Sequence, residues 1–268
     1  MKQRHILPAL AIAAGAVLAT SCDKLMDKAV RSMVETTISH DYTDSEKWGK
    51  VVTIDLPTTA FHEADLQGAV RLEYTQGSVY SLQVEGNEKA IEAYSISVDD
   101  EELEAFLKDG SSKVGKDTPA ITLRITAPCL TEIQGSGATE VIFADSVSQA
   151  KGLDISLSGL GKLAVGTFQA PELDITITGA GQAALSDVRC TGDVKIEIEG
   201  AANIQEGRIE CRKLELKAEG ASNGRLDIHT AATKVKASGA SHITLTGETH
   251  SIEKSLSGAS TVQTDDLK

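Results

Sequence analysis

Seven times between Gly135 and Ser260 the chain repeats an alternating strand that ends in glycine and a small residue. The copies read IQGSG, SLSGLG, TITGAG, EIEGAA, KAEGAS, KASGAS and SLSGAS. Their glycines are Gly135, Gly159, Gly179, Gly200, Gly220, Gly239 and Gly258, at spacings of 24, 20, 21, 20, 19 and 19. A period near 20 with no helical pattern inside it predicts a solenoid of strands, in which each repeat packs only on its neighbours.

The apolar pattern fixes the coil. The sixth, fourth and second residues before each glycine are apolar in most copies, for example Leu173, Ile175 and Ile177, or Val194, Ile196 and Ile198. Period-2 alternation sends these inward and Asp174, Thr176, Lys195 and Glu197 outward. Further apolar groups follow each glycine by four to six residues (Leu163 and Val165) and by nine to eleven (Phe168 and Ala170). That is three strand segments per turn. The predicted fold is all-β: a right-handed, single-stranded parallel β-helix of about 20 residues per coil. The glycines are read as structural turn residues, because a tight corner needs positive φ. The first copy, around Cys129–Gln134, has one apolar residue out of register, so a bulge or altered geometry is expected there.

The ends differ from the repeats. Residues 1–22 carry a basic start (Lys2, Arg4), a short apolar run and Leu18-Ala19-Thr20-Ser21-Cys22. The run is too short for a membrane span and reads as a secretory signal. Its terminal cysteine resembles a bacterial lipobox, which implies a lipid on Cys22 and a membrane contact through it. Residues 23–50 read as a tether helix and linker, with Leu25, Met26, Ala29, Val30, Met33, Val34 and Ile38 on one helical side. Residues 51–268 form the domain: strands over 51–130, with a helical turn after Asn87, and the glycine-anchored coils over 131–268.

The formal charge of −13 argues against nucleic acid, whose phosphates require a basic stripe. Aromatics are 3% and none follows Phe168, so the later core is stacked aliphatics. Cys129, Cys190 and Cys211 show no C-x-x-C spacing, so no metal is expected. Cys190 and Cys211 fall at the same place in adjacent coils and are read as buried free thiols, with a bridge as the alternative. His229, His242 and His250 fall in different columns. Asp154 and Asp174 share a column, and stacked carboxylates suit a glycosidase. The column continues through Lys195, Glu215, Lys234 and Glu253, which reads as surface charge pairing. Ser222, Ser241 and Ser260 also align.

Three segments carry a family resemblance: RLEYTQG (71–77) with YSLQVEGN (80–87), ITLRITAP (121–128), and IQGSGA (133–138). With GAANI (200–204), they resemble the head GIN domain of auto-transporter adhesins, found in exported bacterial lipoproteins. The resemblance covers roughly 55–268. It implies a β-helical fold, surface exposure and no catalytic residues. The expected protein is a non-enzymatic, lipid-anchored module of the cell envelope at the outer membrane, without cofactor, binding a protein or glycan. The alternative is a glycan-acting enzyme on the same scaffold.

Overall fold

The computed structural model describes residues 45–111 and 118–268. The chain is a β-solenoid of about seven turns, with parallel bridges about 20 residues apart. The stretch read as a signal sequence, Cys22 and most of the stretch read as a tether lie outside the described residues. Within the stretch read as linker, Ser45–Trp48 forms a helical turn, α1.

The regular coils run through β7 (Glu132–Gly137), β8 (Glu140–Phe143), β9 (Val147–Ser148), β10 (Leu153–Gly159), β11 (Lys162–Ala170), β12 (Leu173–Gly179), β13 (Gln182–Cys190), β14 (Asp193–Gly200), β15 (Asn203–Gly220), β16 (Asn223–Ala237), β17 (His242–Thr249), β18 (Ile252–Leu256) and β19 (Thr261–Gln263). Every pairing among these strands is parallel. Each coil has a first face before the corner glycine, a second face after it and a third beyond a bend. Ile133, Ile155, Ile175, Ile196, Leu216 and Val235 stack in one column of the first face. None of the six is more than 1% exposed. The period-2 reading therefore places inside and outside correctly, and the column becomes a continuous aliphatic rod.

The N-terminal levels stack out of chain order. β2 (Glu63–Gln76) lies beneath β7 and β8, while β5 (Glu102–Leu107) and β6 (Ala120–Ala127), later in sequence, lie beneath β2. β1 (Val51–Leu56), β3 (Ser81–Asn87) and β4 (Tyr94–Asp99) add antiparallel pairs that close this end. The helical turn α2 (Glu88–Ala93) starts after Asn87, but the Asn87 amide makes no cap bond and donates instead to the Gly49 carbonyl at 2.7 Å. β5 was not legible, because the acidic run 99–102 reads as a solvated turn. That turn is tight, with Asp100 and Glu101 at φ of 45° and 68°.

One turn glycine is corrected. Gly159 sits opposite Gly137, not Gly135, so the corner-to-corner step is 22 residues. Gly137 has φ of 98°, whereas Gly135 occupies the interior place matching Leu157. A side chain at 135 would strike Leu157 Cδ2 and Thr139 Cγ2, at 2.6 and 2.8 Å from an added Cβ. Gly135 is thus a packing glycine. The corner column also extends backward, because Gly68 (φ 111°) stands opposite Gly137.

Aromatic residues gather in the early levels. Tyr74, Phe143 and Phe168 form an edge-to-face chain, with centroids 5.3 and 6.0 Å apart.

Candidate functional surface

The first face presents three outward columns, each a ladder with rungs about 4.8 Å apart. The column containing Asp154 and Asp174 begins earlier than the repeats suggest. It runs Glu102, Glu63, Glu132, Asp154 and Asp174, five carboxylates in successive strands. Glu104 and Asp65 flank its start. Only then does the sign alternate, through Lys195, Glu215, Lys234 and Glu253. The sequence reading starts this column at Asp154: it lacks Glu132 because the first corner is Gly137 rather than Gly135, and Glu63 and Glu102 because β2 and β5 stack beneath β7 against the simple coil order. The repeat EADLQGA (63–69) was a usable signal, since it matches the later coils up to its glycine.

The electrostatics follow the ladder. Partial desolvation, reinforced by Asp65, Glu104, Glu63 and Glu132, raises the Glu102 carboxyl above the ordinary glutamate range. Asp174 is raised by desolvation and by Asp154, with Lys195 opposing. In the later coils, lysines neutralise this field: Lys195 Nζ lies 3.0 Å from Glu197, and Lys217 Nζ bridges Glu199 and Glu219 at 2.9 and 3.3 Å.

Asp154 and Asp174 are directly opposed, as predicted. No histidine or arginine joins them in the column, and Lys195 on the next rung is paired to Glu197. Among the described residues, no group of three or more His, Cys, Asp or Glu side chains is arranged to hold a metal ion. His229 stands between Glu210 and Glu248, and His242 between Asn223 and Thr261, in separate columns. The bend does bring His229 and His250 to one shallow groove beside Cys190 and Cys211, a neighbourhood the spacing did not indicate.

Cys190 and Cys211 are free and buried. Burial, with Cys211 nearby, pushes the Cys190 thiol up to about 12, and burial pushes Cys211 up to about 11. Both stay protonated at neutral pH and behave as small apolar fillers.

Two of the three aligned serines are interior, and Ser260 is partly exposed. Ser222 and Ser241 are 0% and 1% exposed. The hydroxyls of Ser222, Ser241 and Ser260 each donate to the carbonyl three residues back, at 2.8 Å in every case. Thr139 does the same to Ser136 at 3.2 Å. The column ties down the corner.

The family model described as "Putative auto-transporter adhesin, head GIN domain" matches residues 60–186 and 183–268. The chain belongs to this family. No curated protein matches it. Among solved structures it is similar to a putative adhesin from Bacteroides fragilis, with TM-score 0.70 and 21% identity over 80% of this chain and 96% of that one. It is also similar to a putative lipid binding protein from Parabacteroides distasonis, at TM-score 0.61 and 16% identity, and to a putative adhesin from Parabacteroides merdae, at 0.58 and 18%. Both alignments cover 80% of this chain and 96% of the other. At such identities the likeness carries the fold alone. The family points to the cell envelope or surface. No helix among the described residues is long and apolar enough to cross a membrane.

Proposed function

We propose that this chain is a non-enzymatic binding module of the cell envelope, held at the outer membrane by a lipid on Cys22, whose solenoid presents its outer ladders to a protein or glycan. The single observation behind this reading is the first face itself. Five acidic rungs stand in register with no lysine or arginine among them, on a rigid parallel sheet. A rigid array of like charge selects partners by complementary charge and accelerates their encounter, without providing a reaction centre. The family description is consistent with such a role.

Two measurements test the reading. Cys22→Ala should leave the chain unprocessed or soluble; processing and detergent partition that survive the change would refute the anchor. Protease added to intact cells should cleave the domain if it faces outward. A second reading, a glycan-acting enzyme, is favoured by one observation, the opposed Asp154 and Asp174 with the latter raised in pKa. Turnover of a polysaccharide that vanishes in Asp154→Asn or Asp174→Asn would establish it over the binding module.

A further inference from the structure

The interior column of the first face ends on a charge. Ile133, Ile155, Ile175, Ile196, Leu216 and Val235 occupy it in turn, one per rung. The next rung is β18, where Lys254 lies opposite Val235. Its neighbours on the same side of the strand keep to the aliphatic pattern: Ile252 lies opposite Thr233, and Leu256 opposite Ala237. From β7 to β18 no other inward place of this face holds a charged residue. The departure is confined to one place in one coil. A break in an otherwise consistent pattern marks a position with a task of its own.

Lys254 is placed to close the rod. Its Nζ donates to the Thr264 hydroxyl at 2.6 Å, so the side chain reaches from the first face to the segment just after β19. A lysine stem covers apolar neighbours while its ammonium stays in water. Val235, on the rung beneath, is 0% exposed. The rung of β18 itself is open: Ile252 is 36% exposed and Leu256 49%. Among the described residues β18 pairs with β16 alone, so its other edge presents unpaired backbone groups.

An open edge with two exposed aliphatic side chains is a template for another strand. A second copy of this chain is the occupant that matches it, because it offers the same edge and the same two aliphatics across a two-fold axis. Lys254 stands against that contact. Antiparallel pairing of two β18 strands about their centres sets the two Lys254 side chains opposite each other, and like charges so opposed are unfavourable. A shifted register that lays aliphatic side chains over Lys254 strips water from the ammonium and leaves a buried charge without a partner.

We propose that Lys254 is the stop of the solenoid: it caps the aliphatic rod and keeps the β18 edge from joining a second copy of this chain. The molecule then remains one solenoid rather than an end-to-end pair. The stop works in the same way whether or not the first face binds a partner.

The test is the oligomeric state of the purified full chain, by sedimentation velocity in mild detergent so that the apolar run in residues 1–22 does not itself drive association. Lys254→Leu should self-associate at least about tenfold more tightly than the unaltered chain. Lys254→Arg, which keeps the cation and the long stem, should behave as the unaltered chain does. Ile252→Asp added to Lys254→Leu should abolish the gain, because it places a carboxylate on the same edge. If Lys254→Leu precipitates, recovery of soluble monomer in the double variant supports the proposal equally. Lys254→Leu no more associated than the unaltered chain would overturn it. So would association or precipitation that survives Ile252→Asp, a gain of the same size in Lys254→Arg, or an unaltered chain that already pairs and is separated by Ile252→Asp alone.

Discussion

Tyr94 and Ile196 are both buried, yet they hold the molecule in different ways. Tyr94 belongs to the early levels, where one side chain serves several strands. Its hydroxyl accepts from Ala69 N–H and donates to the Pro119 carbonyl, both at 2.9 Å, and it packs against Gly68, where a Cβ would lie 2.6 Å from that oxygen. Nearby, Arg124 joins β6 to its neighbours through Glu73 at 2.9 Å and Glu85 at 2.7 Å. Ile196 belongs to the coils, where interior side chains stack in columns of their own kind. It touches the same kind of side chain above and below, Ile175 and Leu216. The early levels, with antiparallel pairs and shuffled order, need specific side-chain bonds to fix their arrangement. The coils need only correct inward positions repeated often enough. A solenoid end must be closed by something unlike the repeat, and specificity is concentrated there.

The largest effect expected from this contrast is at Ile196. Ile196→Asp places a carboxylate between two aliphatic layers, at a cost of several kcal/mol. It should abolish cooperative unfolding or expression. Lys195→Ala, one residue away and outward, should cost under about 0.5 kcal/mol despite its 3.0 Å pair with Glu197. Denaturant melts of the two variants are the check, and equal effects would break the assignment of sides.

Next is the corner column. Gly200 has φ of 103°, and an added Cβ would collide with the Gly179 carbonyl oxygen. Gly200→Ala should cost about 2–4 kcal/mol. Gly110, at φ 69° but with open space around it, should lose only the backbone part, about 1 kcal/mol. A similar loss at both sites would show that stacking adds nothing to the strain at the corner.

In the early levels, Tyr94→Phe leaves the Ala69 N–H and the Pro119 carbonyl without their partner. The expected cost is about 1–3 kcal/mol by thermal or denaturant melts. Deleting a single hydroxyl from the coils, Ser241→Ala, should cost less, because its strand position is also held by the rungs on either side. A reversed order would remove the distinction between the two regions.

The same contrast decides what could be read from the sequence. The coils were legible because each interior place is sampled six or seven times, so one irregular copy does not hide the pattern. The irregular copy is where sequence alone misleads: IQGSG contains two candidate glycines, and only the register with Leu157 shows that Gly137, not Gly135, makes the corner. The early levels were legible as strands but not as an arrangement. Nothing local in residues 102–107 says that they pass beneath residues 63–66. Two of the five acidic rungs were therefore invisible: Glu63 joins Glu132 through the β2–β7 pairing, and Glu102 joins Glu63 through that crossing.

The smallest effect expected is electrostatic, and it tests whether the ladder acts as one field. Glu102 has a raised pKa in the folded chain, so the fold binds a proton there more tightly than the unfolded chain does. The sign of the linkage follows: this group disfavours folding when ionised. The penalty is fully present above the raised value, and it disappears as pH falls towards the ordinary 4.5. Asp174 contributes with the same sign, over a window reaching down to 3.8. Because Glu102 is largely solvated, screening keeps the effect small. Glu102→Gln should therefore raise the melting midpoint slightly at pH 7 in low salt. The gain should shrink towards pH 4 and fall with added salt. A gain independent of pH would locate the benefit in the amide rather than in the lost charge, and no gain would mean that the five carboxylates do not sense one another. In that case the first face would be a set of separate solvated side chains rather than a surface of one sign, and the charge argument for a cationic partner would lose its basis.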